Sequence, residues 1–183
     1  MCNEREQSSE ELYERFRGGD KEAFEELVTE HRQGLTLFIH RYVNDMDTAE
    51  DIAEDVFVKL LVKKPPYKGN ASFKTWLFTV GKNLSLDLLR KRRRYTPTEE
   101  EPQTAPTAVE DVFFESERKR ALYRALNALP KEERLLMQLI YLEDLSYDHA
   151  EKILGVSKKK LYALSRKAKE TLKEELIKEG TEL

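Results

Sequence analysis

Two clusters of cationic side chains are the groups in this sequence whose type and spacing most clearly suit chemistry. The first is the unbroken run RKRRR at residues 90–94, and the second gathers six cations between residues 158 and 169 with no acid among them. Arginine and lysine at this density favour contacts with nucleic-acid phosphates. A solvated helix end explains the first cluster well, because cations are favourable at helix C-termini. It explains the second poorly, because residues 158–160 begin a predicted helix, where cations are unfavourable.

Four carboxylates between residues 50 and 55 form a third group, of opposite charge. When residues 49–62 are projected at 100° per residue, most apolar side chains fill one arc and the carboxylates lie mostly outside it. Val58 and Val62 fall among the carboxylates. Such a mixed face fits a protein partner with basic residues around an apolar groove. Ordinary surface, or packing against the first short helix, fits the pattern equally well.

Groups suited to catalysis or metal binding are sparse. His31 and His40 are nine residues apart on one predicted helix, so they point to opposite faces and cannot share a metal. Glu54 and Asp55 are adjacent and exposed, unlike a buried acid/base pair, and no phosphate loop of the GxxxxGK[ST] kind is present. The sequence therefore predicts a protein that is not an enzyme and that holds no metal and no cofactor.

Length and composition exclude other classes. The chain has 183 residues with few glycines and prolines (7 and 6), which disfavours a turn-rich all-β fold. No run approaches the roughly 20 apolar residues of a membrane span, and the charged N-terminal stretch lacks the apolar core of a signal peptide. Cys2 is the single cysteine, so no intramolecular disulfide can form. We expect a cytoplasmic helical protein without membrane insertion.

The net charge of −3 is distributed unevenly along the chain. Residues 1–94 are neutral, residues 95–117 carry −7, and residues 118–183 carry +4. The middle segment begins with three prolines among threonines and glutamates, which favours an extended, poorly packed linker. The pattern predicts an all-α fold of two small helical domains, residues 1–94 and 111–183, joined by a flexible acidic linker at residues 95–110.

Capping residues divide the first domain into four helices. Ser8 or its neighbour is expected to begin the first helix, and Asp20 the second. Thr48 is expected to begin the third, with Asp51 completing a capping box, and Ser72 the fourth.

Polar groups of the fourth helix and of the loop before it suit contacts with nucleic-acid phosphates and bases. The helix carries, off its apolar stripe, Lys82, Asn83, Arg90 and Arg93. Amide and cationic groups of this kind contact phosphates and base edges. The loop presents Tyr67, Lys68 and Asn70. Aromatic and amide groups on such a loop can hold an unstacked base.

A helix-turn-helix ends the second domain. Ser146 is expected to cap a short helix that Gly155 ends, and Ser157 to cap a longer final helix. A recognition helix presents its N-terminal residues to the major groove, and this end is the basic one. A helical hairpin that does not bind DNA is the alternative.

Four segments, in this order, resemble the extracytoplasmic-function class of bacterial RNA polymerase sigma factors. Residues 23–43 resemble the first conserved helix of the promoter-melting domain, and residues 49–61 the helix that docks on core polymerase. Residues 72–94 are similar to the helix that reads the downstream promoter element, and residues 128–172 to the domain that reads the upstream element. Each motif alone is loose, but four in this order are specific.

The resemblance implies roles for individual residues. The core-docking motif corresponds here to Glu50, Asp51, Glu54, Asp55 and Phe57, with Val58 beside them. The segment that holds a flipped base corresponds to residues 67–71. The polar positions of the helix that follows this segment correspond to Asn83, Asp87 and Arg90. The recognition helix corresponds to residues 157–167, from which we expect upstream-element contacts by Ser157, Lys158, Lys159, Lys160, Tyr162, Ala163, Arg166 and Lys167.

The resemblance also implies a function and partners. It predicts a non-enzymatic initiation factor that binds core RNA polymerase, directs it to promoter DNA and helps to open the duplex. An anti-sigma factor or other inhibitor is the further partner expected. The alternative is a helix-turn-helix regulator that binds duplex DNA without polymerase.

Overall fold

A computed structural model describes residues 8–65, 72–95 and 117–178, and every regular element in these ranges is helical. The helices are α1 (Ser9–Arg17), α2 (Lys21–Val43), α3 (Met46–Lys63), α4 (Phe73–Tyr95), α5 (Glu117–Asn127), α6 (Lys131–Met137), α7 (Tyr147–Leu154) and α8 (Lys158–Lys178). The chain divides into two compact units, Met1–Arg92 (unit 1) and Arg93–Leu183 (unit 2). The predicted all-α fold is confirmed.

The helix starts in unit 1 follow from capping side chains. Ser8 accepts a hydrogen bond from the backbone of Glu11, whose side chain in turn accepts from Ser8, so α1 begins with a capping box. The prediction that Thr48 begins α3 is wrong, because Asp45 is the cap and accepts from the Thr48 N–H at 3.0 Å. Asn44 ends α2 in the left-handed region (φ 54°), so α3 starts with almost no connecting loop.

The core of unit 1 forms where α2 packs against α3 and α4. Phe38 and Phe78 are fully buried with ring centroids 5.1 Å apart, and Leu35 and Ile39 are equally buried. Gly81 of α4 lies directly against them: a Cβ added there would sit 2.9 Å from Leu35 Cδ1. The two helices therefore approach closely because position 81 has no side chain.

Unit 2 packs α8 across α5 and α6. Leu126, Leu129, Met137 and Ala168 are buried together at its centre. Helix α6 continues into a π-helical turn at Gln138–Leu142, in which the Glu143 N–H donates to the Gln138 carbonyl. Apolar periodicity in the sequence does not reveal such a local change of hydrogen-bond register.

Two kinds of feature are absent from residues 8–65, 72–95 and 117–178. No helix there combines the length and the apolar content needed to cross a membrane. No three His, Cys, Asp or Glu side chains there converge as ligands for a metal ion.

His31 makes the stability of unit 1 depend on pH. Its side chain is 3% exposed, with Nε2 2.9 Å from Ser9 Oγ and 3.6 Å from a carboxylate oxygen of Glu30. Burial, aided by the charge of Lys74, lowers the pKa of His31 to about 4. In the unfolded chain the pKa of His31 is near 6.5. The unfolded chain therefore binds the proton more tightly than the folded chain does.

We expect the free energy of unfolding of unit 1 to fall as the pH drops from about 6.5 towards 4, and the contribution of His31 to level off below that. At pH 5 the loss from this residue is about 2 kcal/mol relative to pH 7. Urea unfolding followed by the fluorescence of Trp76, the single tryptophan, measures it. The variant His31→Gln should show a flatter dependence between pH 7 and 5, and equal slopes in both proteins would contradict the assignment.

Candidate functional site

The outward side of α3 combines exposed carboxylates with exposed aliphatic side chains. We call the following set the acidic-aliphatic face: Asp51, Glu54, Asp55, Val58, Leu61 and Val62. Its three aliphatic side chains are 54%, 47% and 75% exposed in that order. At 100° per residue all six fall within an arc of about 120°. An apolar strip flanked by carboxylates is typical of a surface that a protein partner covers.

The opposite side of α3 holds the face in place. Ile52, Ala53, Val56 and Leu60 are buried in the core of unit 1. Phe57, which the resemblance assigns to core docking, belongs to this buried side, since it is 6% exposed. The reason is periodicity, because residue 57 lies four positions after Ala53 and three before Leu60.

Two carboxylates of the acidic-aliphatic face, Asp51 and Asp55, have a charge that is available to a partner. Glu54 lies 3.4 Å from Arg32, but both side chains are more than half exposed, and such a pair is weak in water. Within the described ranges, Asp51 and Asp55 are exposed and form no ion pair. Glu50, also predicted to dock, is half-buried at the edge of the face. Leu61 was not predicted as a contact, although its position three residues after Val58 places it beside the strip.

The predicted downstream-element residues of α4 share one side of that helix. Lys82, Asn83, Arg90 and Arg93 fall within an arc of about 100° at helical periodicity. Asn83, Arg90 and Arg93 are exposed, and Arg90 forms an ion pair with Asp87 at 3.0 Å. Lys82 is half-buried, and burial lowers the pKa of its ammonium group. Tyr67, Lys68 and Asn70 lie outside the described residues.

The helix-turn-helix of unit 2 is formed by α7 and α8. Ser146 caps α7 by accepting from the His149 N–H, and Gly155 ends it in the left-handed region (φ 70°). The Lys158 N–H at the start of α8 donates to the Glu151 carboxylate at 3.0 Å.

Three of the predicted DNA-contacting lysines of α8 pair with carboxylates of unit 2. Lys158 pairs with Asp148, which offsets the cost of a cation at a helix N-terminus. Lys160 lies 2.9 Å from Glu132. Lys167 lies 2.9 Å from Glu133, whose side chain is 3% exposed. The stretch 158–169 contains no acid, but α6 and α7 bring three acids to it in space.

The remaining predicted contacts of α8 are open to solvent. Lys159 and Arg166 are exposed and, in the part of the chain that the structure describes, form no ion pair. Tyr162 is 56% exposed and stacks on Tyr147 with ring centroids 4.5 Å apart. Ser157 and Ala163 are exposed too. Among the predicted contacts, Lys159 and Arg166 therefore lie open to solvent beside the pair of stacked rings.

We expect Arg166→Ala to weaken binding of the upstream promoter element by the chain in the presence of core polymerase and to reduce the slope of log affinity against log salt by about one. The reason is that one lost phosphate contact releases one counterion fewer. Lys160→Ala is the matched comparison, and its slope should change less because Glu132 already neutralises that ammonium group. Titration at four salt concentrations measures both. An unchanged slope for Arg166→Ala would remove this residue from the interface.

Comparison with known proteins identifies two matching sequence families. Sigma-70 region 2 matches residues 27–95, which span most of α2, all of α3 and all of α4. Sigma-70, region 4, matches residues 119–172, which include α6, α7 and the turn that joins α7 to α8. The two matches follow each other along the chain in the order that the four motifs predict.

Curated relatives match over most of their length. The chain is 26% identical over 167 residues to the RNA polymerase sigma factor YlaC of Bacillus subtilis, covering 88% of this chain and 96% of that protein. It is 28% identical over 155 residues to the ECF RNA polymerase sigma-E factor of Haemophilus influenzae, covering 78% of this chain and 82% of that protein. Among solved structures, the sigma factor RpoE in complex with the anti-sigma factor NepR from Bartonella quintana is similar, with a TM-score of 0.64 and 25% identity, over 84% of this chain and 96% of that one.

Proposed function

Because the chain belongs to the extracytoplasmic-function class of bacterial sigma factors, we propose that three of its surfaces each make a different contact during transcription initiation. Members of this class bind core RNA polymerase and direct it to specific promoters, and this chain is such a factor. The proposal assigns core binding to α3, the downstream promoter element to α4 and the connection before it, and the upstream element to α8.

The acidic-aliphatic face is the surface that binds core polymerase. The observation that carries this assignment is the exposure of Val58, Leu61 and Val62 beside Asp51 and Asp55, which form no ion pair among the described residues. Covering the three aliphatic side chains supplies affinity through removal of apolar area from water. Asp51 and Asp55 attract basic residues at the rim of the partner's surface. This attraction speeds association and fixes the orientation of the two proteins. Glu50 and Glu54 flank the contact.

Promoter contacts are assigned to the polar side of α4 with the connection before it, and to the outward side of α8. Lys82, Asn83, Arg90 and Arg93 would contact the downstream element, with Tyr67, Lys68 and Asn70 holding an unstacked base of the opened strand. On α8, Lys159 and Arg166 would bind phosphates, while Tyr162 and Ala163 approach base edges in the major groove. Ser157, Lys158, Lys160 and Lys167 would lie at the edge of that contact, with the three lysines partly neutralised by their carboxylate partners.

Sigma factors are not enzymes, and we assign this chain neither a catalytic step nor a cofactor. An anti-sigma factor, such as the one bound to the similar RpoE of Bartonella quintana, is the expected inhibitor, and it would compete with core polymerase. The site of action is the cytoplasm, where core polymerase and promoter DNA meet.

A gel shift on promoter DNA with and without core polymerase tests the proposal. A sigma factor should give specific binding only when core is present, whereas a regulator that acts without polymerase should bind the duplex alone. The regulator alternative is not favoured, because both sigma-70 regions match in order along one chain. Specific binding by the free chain that core does not change would overturn the proposal.

A further inference from the structure

Helix α1 contacts both ends of the connection between α3 and α4. At one end, Tyr13 Oη donates to the carbonyl of Pro65 at 2.6 Å. At the other end, the Phe73 N–H donates to Glu10 Oε1 at 2.9 Å. Both contacts are made to backbone groups, so they fix the path of the chain rather than the choice of side chain at residues 65 and 73.

The contacts at each end are supported by neighbouring groups. The Tyr13 ring is 2% exposed and lies 5.1 Å from the Phe73 ring, and burial raises the pKa of Tyr13 to about 12, so its hydroxyl remains a donor. Lys64 lies with Nζ 4.5 Å from the centre of the Phe16 ring and 3.5 Å from the Phe16 carbonyl. Glu10 also places a carboxylate at the N-terminus of α4, where negative charge is favourable.

The same helix is anchored to α2 by a second set of contacts. Ser9 Oγ lies 2.9 Å from Nε2 of the buried His31, and the ring of that histidine lies 5.6 Å from the Phe73 ring. Helix α1 is therefore packed against both α2 and the start of α4. It also precedes residues 27–95, which match sigma-70 region 2, so the family match says nothing about its role.

We propose that α1 is a positioning element for promoter opening, in which Glu10 and Tyr13 fix the two ends of the α3–α4 connection. This rests on the proposed function, which assigns Tyr67, Lys68 and Asn70 of that connection to an unstacked base. Fixing both ends of a connection lowers the entropy that its residues lose when they bind. The two hydrogen bonds satisfy the buried Tyr13 hydroxyl and the first N–H of α4, and in doing so they join α1 to the backbone at both ends of the connection.

Holoenzyme made from core polymerase and the full chain tests this inference on two templates. One is a duplex promoter found by mapping start sites after overproduction of the chain, and the other is the same promoter with mismatches that open its downstream element. Tyr13→Phe removes one hydroxyl and keeps the ring, and Glu10→Ala removes the acceptor at Phe73. Each should lower transcription from the duplex about tenfold and from the opened template less than about twofold, because the mismatches supply the opening free energy.

Three controls keep the result specific. Glu10→Gln keeps an acceptor oxygen and should restore most of the duplex activity. Glu14→Ala, on the exposed side of α1, should match the wild-type chain on both templates. Core affinity, measured for every variant, should stay close to the wild-type value, and thermal unfolding should show that unit 1 of each variant is still folded at the assay temperature.

Equal losses on both templates, or no loss on either, would overturn the inference while leaving the proposed function intact. Failure of the proposed function would look different. In that case the wild-type chain would not bind core polymerase, or it would not support transcription from the opened template.

Discussion

Replacing Asp51 and Asp55 together by lysine should lower the affinity of the chain for core RNA polymerase by about 100-fold. Both carboxylates are exposed, and neither forms an ion pair among the described residues, so the substitution turns two attractions into two repulsions at the partner's basic rim. Juxtaposed like charges cost several kcal/mol at an interface, and a factor of 100 corresponds to about 3 kcal/mol. A binding titration with labelled chain and core enzyme measures the change.

The matched control reverses two charges elsewhere on unit 1. Glu25 and Glu26 are exposed on α2, and the pair Glu25→Lys and Glu26→Lys changes the net charge equally. This control should retain nearly all of the core affinity. Full affinity in the Asp51→Lys and Asp55→Lys chain, with unit 1 folded, would reject α3 as the docking helix.

Substitution of Gly81 by valine should destabilise unit 1 by about 3 kcal/mol, at the upper end of the usual cost of overpacking. Even a single added carbon would lie 2.9 Å from Leu35 Cδ1 and 3.3 Å from Ile39 Cγ1, and valine adds two further methyl groups at this close approach of α2 and α4. Gly81→Ala should cost much less, since the Leu35 methyl group can shift and alanine favours the helix by about 1 kcal/mol.

Urea unfolding followed by Trp76 fluorescence reports this loss, because Trp76 lies in unit 1 on the same helix as Gly81. We expect the free energies of unfolding of the wild type and Gly81→Ala to be similar, and that of Gly81→Val to be well below both. A Gly81→Val chain within about 1 kcal/mol of the wild-type value would show that α2 and α4 can separate at little cost, contrary to their packing here.

Helical periodicity predicted most of unit 1 correctly, because its signals are local. The apolar arc of α3 is buried as expected, and Val58 and Val62 are exposed. The resemblance assigned Phe57 to docking, whereas its place in the same periodic arc buries it. The predicted cap of α3 was wrong by three residues, because Asp45 follows directly on the end of α2 and takes the capping role from Thr48.

The pairing of the α8 lysines could not be predicted from the sequence. Between residues 158 and 169 no acid occurs, which favours one uninterrupted basic surface. Their partners lie on other helices, Glu132 and Glu133 on α6 and Asp148 on α7, and only tertiary packing brings them together. The contacts of α1 with Pro65 and Phe73 are non-local for the same reason, since they join residues more than 50 positions apart.

The most direct test is transcription from a mapped promoter by core polymerase, with the wild-type chain and with the Asp51→Lys and Asp55→Lys chain side by side. The wild-type chain should produce a transcript that starts at the mapped site and that core alone does not make. The variant should produce little of it at equal concentration and more as its concentration rises, because core binding is the step that it impairs. Equal transcript from both chains, or none with the wild-type chain, would contradict the account.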